Sequence, residues 1–189
     1  VVTTFSGVAS NFAGVPLAFA FIATLGRVGL ITVLLKTVFG ISLYDAGFNL
    51  YSFWGLALTY LYFQVPLMVL VMTPALDGMK KEWREASDTL GASAGRYWRT
   101  VALPVLAPSL LSSVILLFGN AFGAYATAYA LTGGLLNLIP IQIGAQMRGD
   151  VLNDPNLGYA LALGMVVIML LCIFGYTALQ KRASRWRAA

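Results

Sequence analysis

The sequence has very little charge. Of its 189 residues, 10% are Asp, Glu, Lys or Arg and 59% are hydrophobic, whereas a soluble domain is nearer a quarter charged and half apolar. So few polar groups could not cover the surface of a water-soluble fold. We therefore expect a lipid bilayer to be the solvent for most of the chain.

Residue types that bind metals or act as nucleophiles are also scarce. There is no histidine and a single cysteine, Cys172. A histidine-based catalytic triad, a Cys/His zinc site and an intrachain disulfide are therefore excluded, and neither a catalytic residue nor a metal site is predicted. Cys172 lies within an apolar run, so we interpret it as a buried, inert thiol.

Long uncharged runs indicate membrane-spanning helices. A bilayer core of about 30 Å needs about 20 apolar residues in a helix, and lipid admits only helices or closed barrels. Residues 1–189 are therefore predicted to form a single all-α domain, a polytopic transmembrane helical bundle. The chain has four charge-free segments of this length: Phe5–Gly26, Phe53–Leu76, Val105–Leu131 and Leu157–Gln180.

Two shorter elements are expected between these spans. Residues 28–43 are apolar, but Lys36 lies at their centre. They predict an interfacial or re-entrant helix, and a fifth crossing is the alternative. Turn signals at 132–134 and 153–156 flank another short element, Leu138–Met147. The chain begins with Val1 rather than Met and lacks a basic n-region, so we expect a processed or cut start without a signal peptide.

The distribution of basic residues predicts the orientation. Residues 77–104 carry five Lys or Arg and the C-terminal tail carries four, whereas residues 27–52 and 132–156 carry three together. Loops rich in Lys and Arg remain in the cytoplasm. We therefore expect residues 77–104 and the C-terminus to be cytoplasmic, and the basic tail to contact lipid headgroups rather than nucleic acid.

Residues 77–104 form the one long charged segment between two spans. The pattern predicts a helix over Glu82–Leu90, ended by Gly91 in the left-handed conformation. Ser93 is expected to cap a second short helix on the membrane surface, and Pro104 to mark its junction with the next span. The alternative is an ordinary amphipathic loop whose tryptophans rest on the headgroups.

The same segment resembles the EAA motif of the permeases of binding-protein-dependent ABC importers. That motif is E-A-A, three residues, glycine, nine residues, a β-branched residue, one residue, then L-P. The serine at the third position is the one departure, and it is a small residue like the usual alanine. The matching residues are Glu85, Ala86, Ser87, Gly91, Val101, Leu103 and Pro104.

The resemblance implies a coupling helix seated on a separate ATPase subunit. Glu85 would make the polar contact, Ala86 and Ser87 would allow close approach, Gly91 would permit the turn, and Pro104 would set the angle of the following span. No G-x-x-x-x-G-K-[ST] sequence is present, so ATP would be bound by the partner ATPase. This chain is then expected to hold no cofactor and not to be an enzyme.

The resemblance also implies the surrounding assembly. It predicts a bacterial inner-membrane complex with a second permease subunit, identical or related, two ATPase subunits and a periplasmic or lipid-anchored solute-binding protein. Such permeases have five or six spans, so one or two would precede Val1. The LTGG stretch at 131–134 and the P-x-x-x-P at 104–108 resemble the branch handling polyamines, ferric iron, thiamine or phosphonates. The expected solute is polyamine-like or another small molecule.

Polar side chains within the spans suggest a solute path. Such groups tend to face a bundle interior or a cavity, and the candidates are Gln64, Asn120 and Tyr125. Gly119 and Gly123 form a G-x-x-x-G pair that is typical of close helix packing, with a hinge or a dimer contact as the alternative.

Two other classes of function fit the composition. One is a membrane adaptor whose cytoplasmic loop recruits a soluble partner. The other is an ion-coupled carrier, although the four predicted spans contain no Asp, Glu, Lys or Arg, which such carriers usually need.

Overall fold

The protein is helical throughout the part described by the computed structural model, residues 2–148 and 154–188. No strand occurs in these ranges, which confirms the predicted all-α class. The helices are α1 (Val2–Asn11), α2 (Val15–Leu25), α3 (Leu30–Phe39), α4 (Phe53–Asp77), α5 (Lys81–Thr89), α6 (Ala94–Tyr97), α7 (Leu103–Gly123), α8 (Tyr125–Thr132), α9 (Ile139–Arg148) and α10 (Pro155–Ala188). A π-helical turn, Trp98–Ala102, joins α6 to α7.

Four helical segments of the described chain are long and apolar enough to cross a membrane. They are Val15–Phe39, Phe53–Asp77, Ala94–Gly123 and Pro155–Lys181. The second and fourth confirm the predicted spans closely. The first and third differ from the prediction because a helix breaks inside each predicted run.

The first break lies at residues 12–14, so the predicted span Phe5–Gly26 is wrong. Gly14 has φ +77°, outside the helical region, and Pro16 in the first turn of α2 lacks the N–H that would continue a helix. The Gly14 N–H instead donates to Thr127 Oγ1 at 2.8 Å. With 11 residues, α2 is about 16 Å long, so the candidate span reaches membrane length only by adding α3 across a turn.

The second break lies at Ala124, so the predicted span Val105–Leu131 is also wrong. Ala124 has φ −77° and ψ 89°, between the end of α7 and the start of α8. Its carbonyl accepts a hydrogen bond from Tyr60 Oη at 2.6 Å. A backbone group freed at membrane depth needs such a partner because lipid supplies none. Tyr60 therefore stabilises this break.

The helix does not end before Pro104, contrary to the sequence prediction. Leu103 is helical, with φ −61° and ψ −46°, and its N–H donates to Trp98 O, five residues back. In a regular α-helix the Pro104 ring would press on the Thr100 carbonyl, and the wider π turn gives it room. Residues 94–123 therefore form one continuous helical segment, and the predicted second surface helix is its first turn.

Packing places α4, α7 and α10 side by side. α4 packs on α1 and on α7, and α7 packs on α10. At one end of this row, α2 packs on α8, and α9 packs on α10 and α8. The buried cluster at that end contains Ala18, Leu50, Leu56, Ala128, Leu131 and Ile141. A second cluster, Met72, Ala75 and Leu106, joins α4 to α7 near the charged loop.

Both shorter predicted elements are helical, but α3 forms part of the first candidate span rather than a separate element between spans. α3 occupies most of the predicted 28–43 element, and α9 matches Leu138–Met147 within one residue at each end. Many large apolar side chains of α3 and α10 are exposed on the isolated chain, among them Val38, Phe39, Leu171 and Phe174. Such a surface fits a bilayer rather than water.

Candidate functional site

The charged loop begins with α5, which ends as the sequence predicts. Gly91 has φ +72°. The Ala92 N–H donates to Ser87 O at 3.0 Å and the Gly91 N–H to Asp88 O at 2.9 Å. This pair of bonds is the Schellman motif, which satisfies carbonyls that a helix end leaves free. Ser93 then caps α6 by accepting from the Arg96 N–H.

Side chains on α5 brace it against the start of the long helix. Arg84 Nε donates to Asp88 Oδ2 at 3.0 Å, and the Arg84 guanidinium carbon lies 5.1 Å from the centre of the Tyr97 ring. Tyr97 is buried. Lys81 and Glu85, four residues apart on α5, form no ion pair, which leaves the Glu85 carboxylate without an ionic partner on this helix.

A groove runs between α5 and the segment that leads into α7. Its volume is about 640 Å³, and its lining residues are Trp83, Ala86, Ser87, Leu90, Ala92, Arg96, Thr100, Val101 and Val105. Leu90, with 86% of its surface exposed, stands at the α5 edge of this groove. Together with Trp83, Val101 and Val105 in the same lining, Leu90 gives the groove a contiguous apolar surface suited to contact with another molecule.

The motif residues divide between this groove and the free surface. Glu85, Ala86, Leu103 and Pro104 are exposed, and Ser87 is buried beneath α5. Ala86, Ser87 and Val101 line the groove together. The structure thus gathers three of the seven motif residues around one concave surface, with Glu85 on the exposed side of α5.

A cavity of about 790 Å³ lies between α1, α4, α7, α8 and α10. Both helix breaks border it, because Ser10, Ala13 and Gly14 line one side and Ala124–Thr127 another. The first-turn residues of α8 and the residue preceding α2 thus form part of the wall. The N-termini of these two helices, which carry a partial positive charge, therefore lie at the cavity.

Two of the three predicted path residues line this cavity, and the third holds one of them. Asn120 and Tyr125 are lining residues. Gln64 is not, but its Oε1 accepts from Asn120 Nδ2 at 3.1 Å and its Nε2 donates to Leu117 O at 2.7 Å. Gln64 therefore fixes the position of the Asn120 amide from the neighbouring helix.

Tyr125 has a charged neighbour that the sequence did not suggest. Arg148 Nη2 donates to Tyr125 Oη at 3.2 Å, and the guanidinium carbon lies 5.7 Å from the ring centre. Tyr125 also stacks on Tyr129, with 5.3 Å between ring centres. Residues 125 and 148 are far apart in the chain, so only the packing of α9 near α8 brings them together.

The cavity also corrects two interpretations of small residues. Cys172 is only partly buried and lines the cavity, so it is not the buried core thiol we expected. Gly119 faces the Met169 side chain, whose terminal carbon would lie 3.4 Å from an added Cβ, and an added Cβ at Gly123 would meet nothing within 4 Å. The G-x-x-x-G pair therefore borders a cavity rather than a tight backbone seam.

These features define a class of protein: a multi-pass helical membrane protein with an open cavity lined by several helices and an exposed, charged helix between two spans. Residues 6–187 match the family described as the binding-protein-dependent transport system inner membrane component. The chain belongs to this family, as the EAA-like motif predicts.

Curated relatives of the chain are permease proteins of such systems. The molybdenum transport system permease protein ModB of Mycobacterium bovis is 29% identical over 168 residues, 87% of this chain and 58% of that protein. The sulfate transport system permease protein CysT of Salmonella typhimurium is 28% identical over 137 residues, 71% and 49% of the two chains.

The ferric transport system permease protein FbpB of Actinobacillus pleuropneumoniae is 30% identical over 151 residues, 79% of this chain and 21% of that protein. The matched part of the chain thus spans about 58% of the first of these relatives and less of the other two. No solved structure is significantly similar to the chain.

Proposed function

We propose that this chain is a permease subunit of a bacterial ABC importer. In this role it forms a solute path through the inner membrane and couples that path to ATP hydrolysis on a separate subunit. The observation that carries the proposal is the family match over residues 6–187. The EAA-like motif supports it, because its α5 helix is exposed and borders a groove.

In the proposed mechanism, α5 acts as the coupling helix. Glu85 makes a polar contact with the ATPase, and the small Ala86 allows a close approach. Ser87 is buried, so its small side chain serves the packing beneath α5. Gly91 fixes the turn that follows, while Val101, Leu103 and Pro104 carry the connection into α7. Movement of α5 would then reach Gly119 and Asn120 in the cavity wall along one continuous helical segment.

The partners follow from this assignment. They are two ATPase subunits on the cytoplasmic side, a second permease subunit in the membrane and a solute-binding protein outside. The loop 77–104 and the C-terminus would face the cytoplasm, as the excess of basic residues indicates. ATP would be bound on the partner ATPase, so this chain itself would be neither an enzyme nor a cofactor carrier. The solute would be small, and sulfate, molybdate, ferric iron and spermidine are the probes to compare.

The first experiment tests the partner and the coupling together. The full-length protein is expressed with its genomic neighbours and purified through a tag. An ATPase that co-purifies and hydrolyses ATP faster with solute and binding protein supports the proposal. A partner without ATPase activity would indicate a membrane adaptor. Uptake driven by an ion gradient in the absence of ATP would indicate a secondary carrier.

Two substitutions test the role of α5 directly. Glu85→Lys and Gly91→Pro should lower uptake at least tenfold while the protein still inserts into the membrane, because one reverses a contact charge and the other disrupts the turn. Glu82→Lys makes the same charge change on the same helix outside the motif and should remain near wild type. Near-normal uptake by Glu85→Lys and Gly91→Pro would remove the coupling role.

A further inference from the structure

Arg148 lies at one end of the membrane cavity. It is the last residue of α9, and α9 packs on the start of α10, where Gly158 lies against Gln146 and Met147. The α10 residues that line the cavity begin at Met169. Met169 follows Gly158 by eleven positions along the helix, a rise of about 16 Å, so Arg148 reaches Tyr125 from the α9 end of the cavity.

The cavity wall itself carries no charge. Among the described residues that line it there is no Asp, Glu, Lys or Arg. An arginine is protonated at all physiological pH values. Arg148 itself is exposed, and the uncharged wall beside it supplies no counter-charge. Arg148 is therefore a charged side chain in direct contact with a residue of this uncharged wall, Tyr125.

Within the described part of the chain, the guanidinium also retains donors that can bind a solute. Its described hydrogen bond goes to a neutral phenol, Tyr125 Oη, and leaves four of five N–H donors. Within the described ranges, no carboxylate forms a salt bridge with Arg148. Asp154, joined to α9 through Gln146, is engaged elsewhere, because its Oδ1 accepts from the Asn156 and Leu157 N–H groups at the start of α10.

The local packing leaves room for this arrangement. A Cβ added at Gly144 would lie 3.3 Å from Arg148 Nη2 and 3.6 Å from the Tyr125 ring. Glycine at this position therefore allows the arginine to lie along the ring. A planar guanidinium with free donors matches the oxygens of an oxyanion in a bidentate manner.

From this geometry we propose that the cavity conducts anions and that Arg148 is the residue that selects them. The solute class is a small oxyanion, which donors of the Arg148 guanidinium bind at the α9 end before it passes Tyr125. The solute class rests on the proposed function, because it assumes that the cavity is the transport path. The charge selectivity of the cavity does not depend on it.

Cys172 provides a reporter of that selectivity, because its thiol lies in the cavity wall. The full-length protein in detergent is treated with two methanethiosulfonates, the anionic sulfonatoethyl reagent and the cationic trimethylammonium-ethyl reagent. Mass spectrometry of the peptide containing Cys172 gives the two modification rates. The anionic reagent should react faster relative to its rate with a free thiol, and Arg148→Gln should lower the anion-to-cation rate ratio about fivefold or more.

Two further variants make the result specific. Arg27→Gln removes an arginine in a similar setting, 5.4 Å from the centre of the Tyr44 ring but outside the cavity lining, and should leave the ratio unchanged. Arg148→Lys keeps the charge and should keep most of the ratio. An unchanged ratio in Arg148→Gln, an equal fall in Arg27→Gln or in Arg148→Lys, or a Cys172 that reacts with neither reagent would each overturn the proposal.

Transport measurements then connect selectivity to solute. In the reconstituted complex, Arg148→Gln should raise the KM for sulfate or molybdate about tenfold or more and change kcat little, because the charge acts on entry and binding. A wild-type complex that prefers spermidine over both anions would overturn the anion proposal. A wild-type chain that takes up none of the probes and binds no ATPase would overturn the proposed function, while the reagent ratio would still report the charge selectivity.

Discussion

Individual residues matter most in this protein where the backbone leaves its regular path. Gly91 adopts φ +72° at the end of α5, where a side chain would strain the backbone, although no atom lies within 4 Å of an added Cβ. Ala124 leaves the helical region, and the Tyr60 hydroxyl bonds its carbonyl. Gly91 thus supplies conformational freedom, and Tyr60 supplies a hydrogen-bond partner for the freed Ala124 carbonyl.

A substitution series at Gly91 should separate backbone strain from steric clash. Because the surrounding space is empty, Gly91→Ala should cost only the left-handed conformation, about 1–2 kcal/mol, and Gly91→Asn should cost less, since asparagine tolerates it. We expect coupled ATPase activity in the order Gly, Asn, Ala. Gly95→Ala, in the regular helix α6 with equally open surroundings, is the control. Equal activity of Gly91→Ala and Gly95→Ala would contradict the strain argument.

Removing the Tyr60 hydroxyl should destabilise the break at Ala124. Tyr60→Phe leaves the Ala124 carbonyl without this donor at membrane depth, which should cost about 1–3 kcal/mol and lower the thermal midpoint in detergent. Tyr62→Phe is the matched control, because its described contacts are the ring contacts with Phe12 and Phe21. A midpoint unchanged in both variants would mean that another group satisfies the carbonyl.

At the scale of the element, the segment Ala94–Gly123 unites the two candidate sites. Its first turns border the groove beside α5, and its last turns border the cavity. The π turn at Trp98–Ala102 lies within the groove-lining part, because Thr100 and Val101 line the groove, and it gives the Pro104 ring room. A local change in helical register there would rotate the groove-lining residues relative to the cavity-lining ones.

Replacing Pro104 tests this geometry. Pro104→Ala removes the ring and restores an N–H, so a regular α-helical register becomes accessible and the first turns can rotate. Insertion and ATPase binding should persist, while solute uptake per ATP hydrolysed should fall several-fold. Pro108→Ala removes a proline from the same helix beyond the π turn and should have little effect. If both variants had the same uptake per ATP, the π turn would have no part in coupling.

For the whole molecule, the cavity between the two broken helices is the decisive feature. α1 and the break before α2 meet it from one side and α7 and α8 from another. Gly14 and Thr127 hold the two breaks together through a hydrogen bond of 2.8 Å. Because α10 lies across the same space, a side chain added at Gly119 on the facing surface of α7 enters the cavity.

Filling the cavity should block uptake without disturbing insertion. Gly119→Leu adds three carbons beyond the Cβ position, which itself would touch Met169 at 3.4 Å, and the remainder occupies the cavity. We expect uptake below a tenth of wild type with normal membrane levels. Gly164→Leu places the same side chain on α10, where no atom lies within 4 Å of an added Cβ, and should remain active. Equal uptake by the two variants would exclude the cavity as a path.

The sequence by itself determined the helical membrane class, two complete spans, the end of α5 at Gly91 and the family. These features depend on apolar run length, local backbone preference and motif spacing, all of which are local in the chain. It also predicted that Asn120 and Tyr125 face a cavity, because polar groups avoid lipid.

Only the tertiary structure decided where the long apolar runs break and what stabilises each break. The partners of the Gly14 N–H and the Ala124 carbonyl, Thr127 and Tyr60, come from distant parts of the chain. The same holds for the contact between Arg148 and Tyr125. Hydropathy cannot reveal a break, because an apolar run remains apolar through it. A backbone group freed in lipid is tolerated only when folding brings a partner to it, and that partner is a property of the packed molecule.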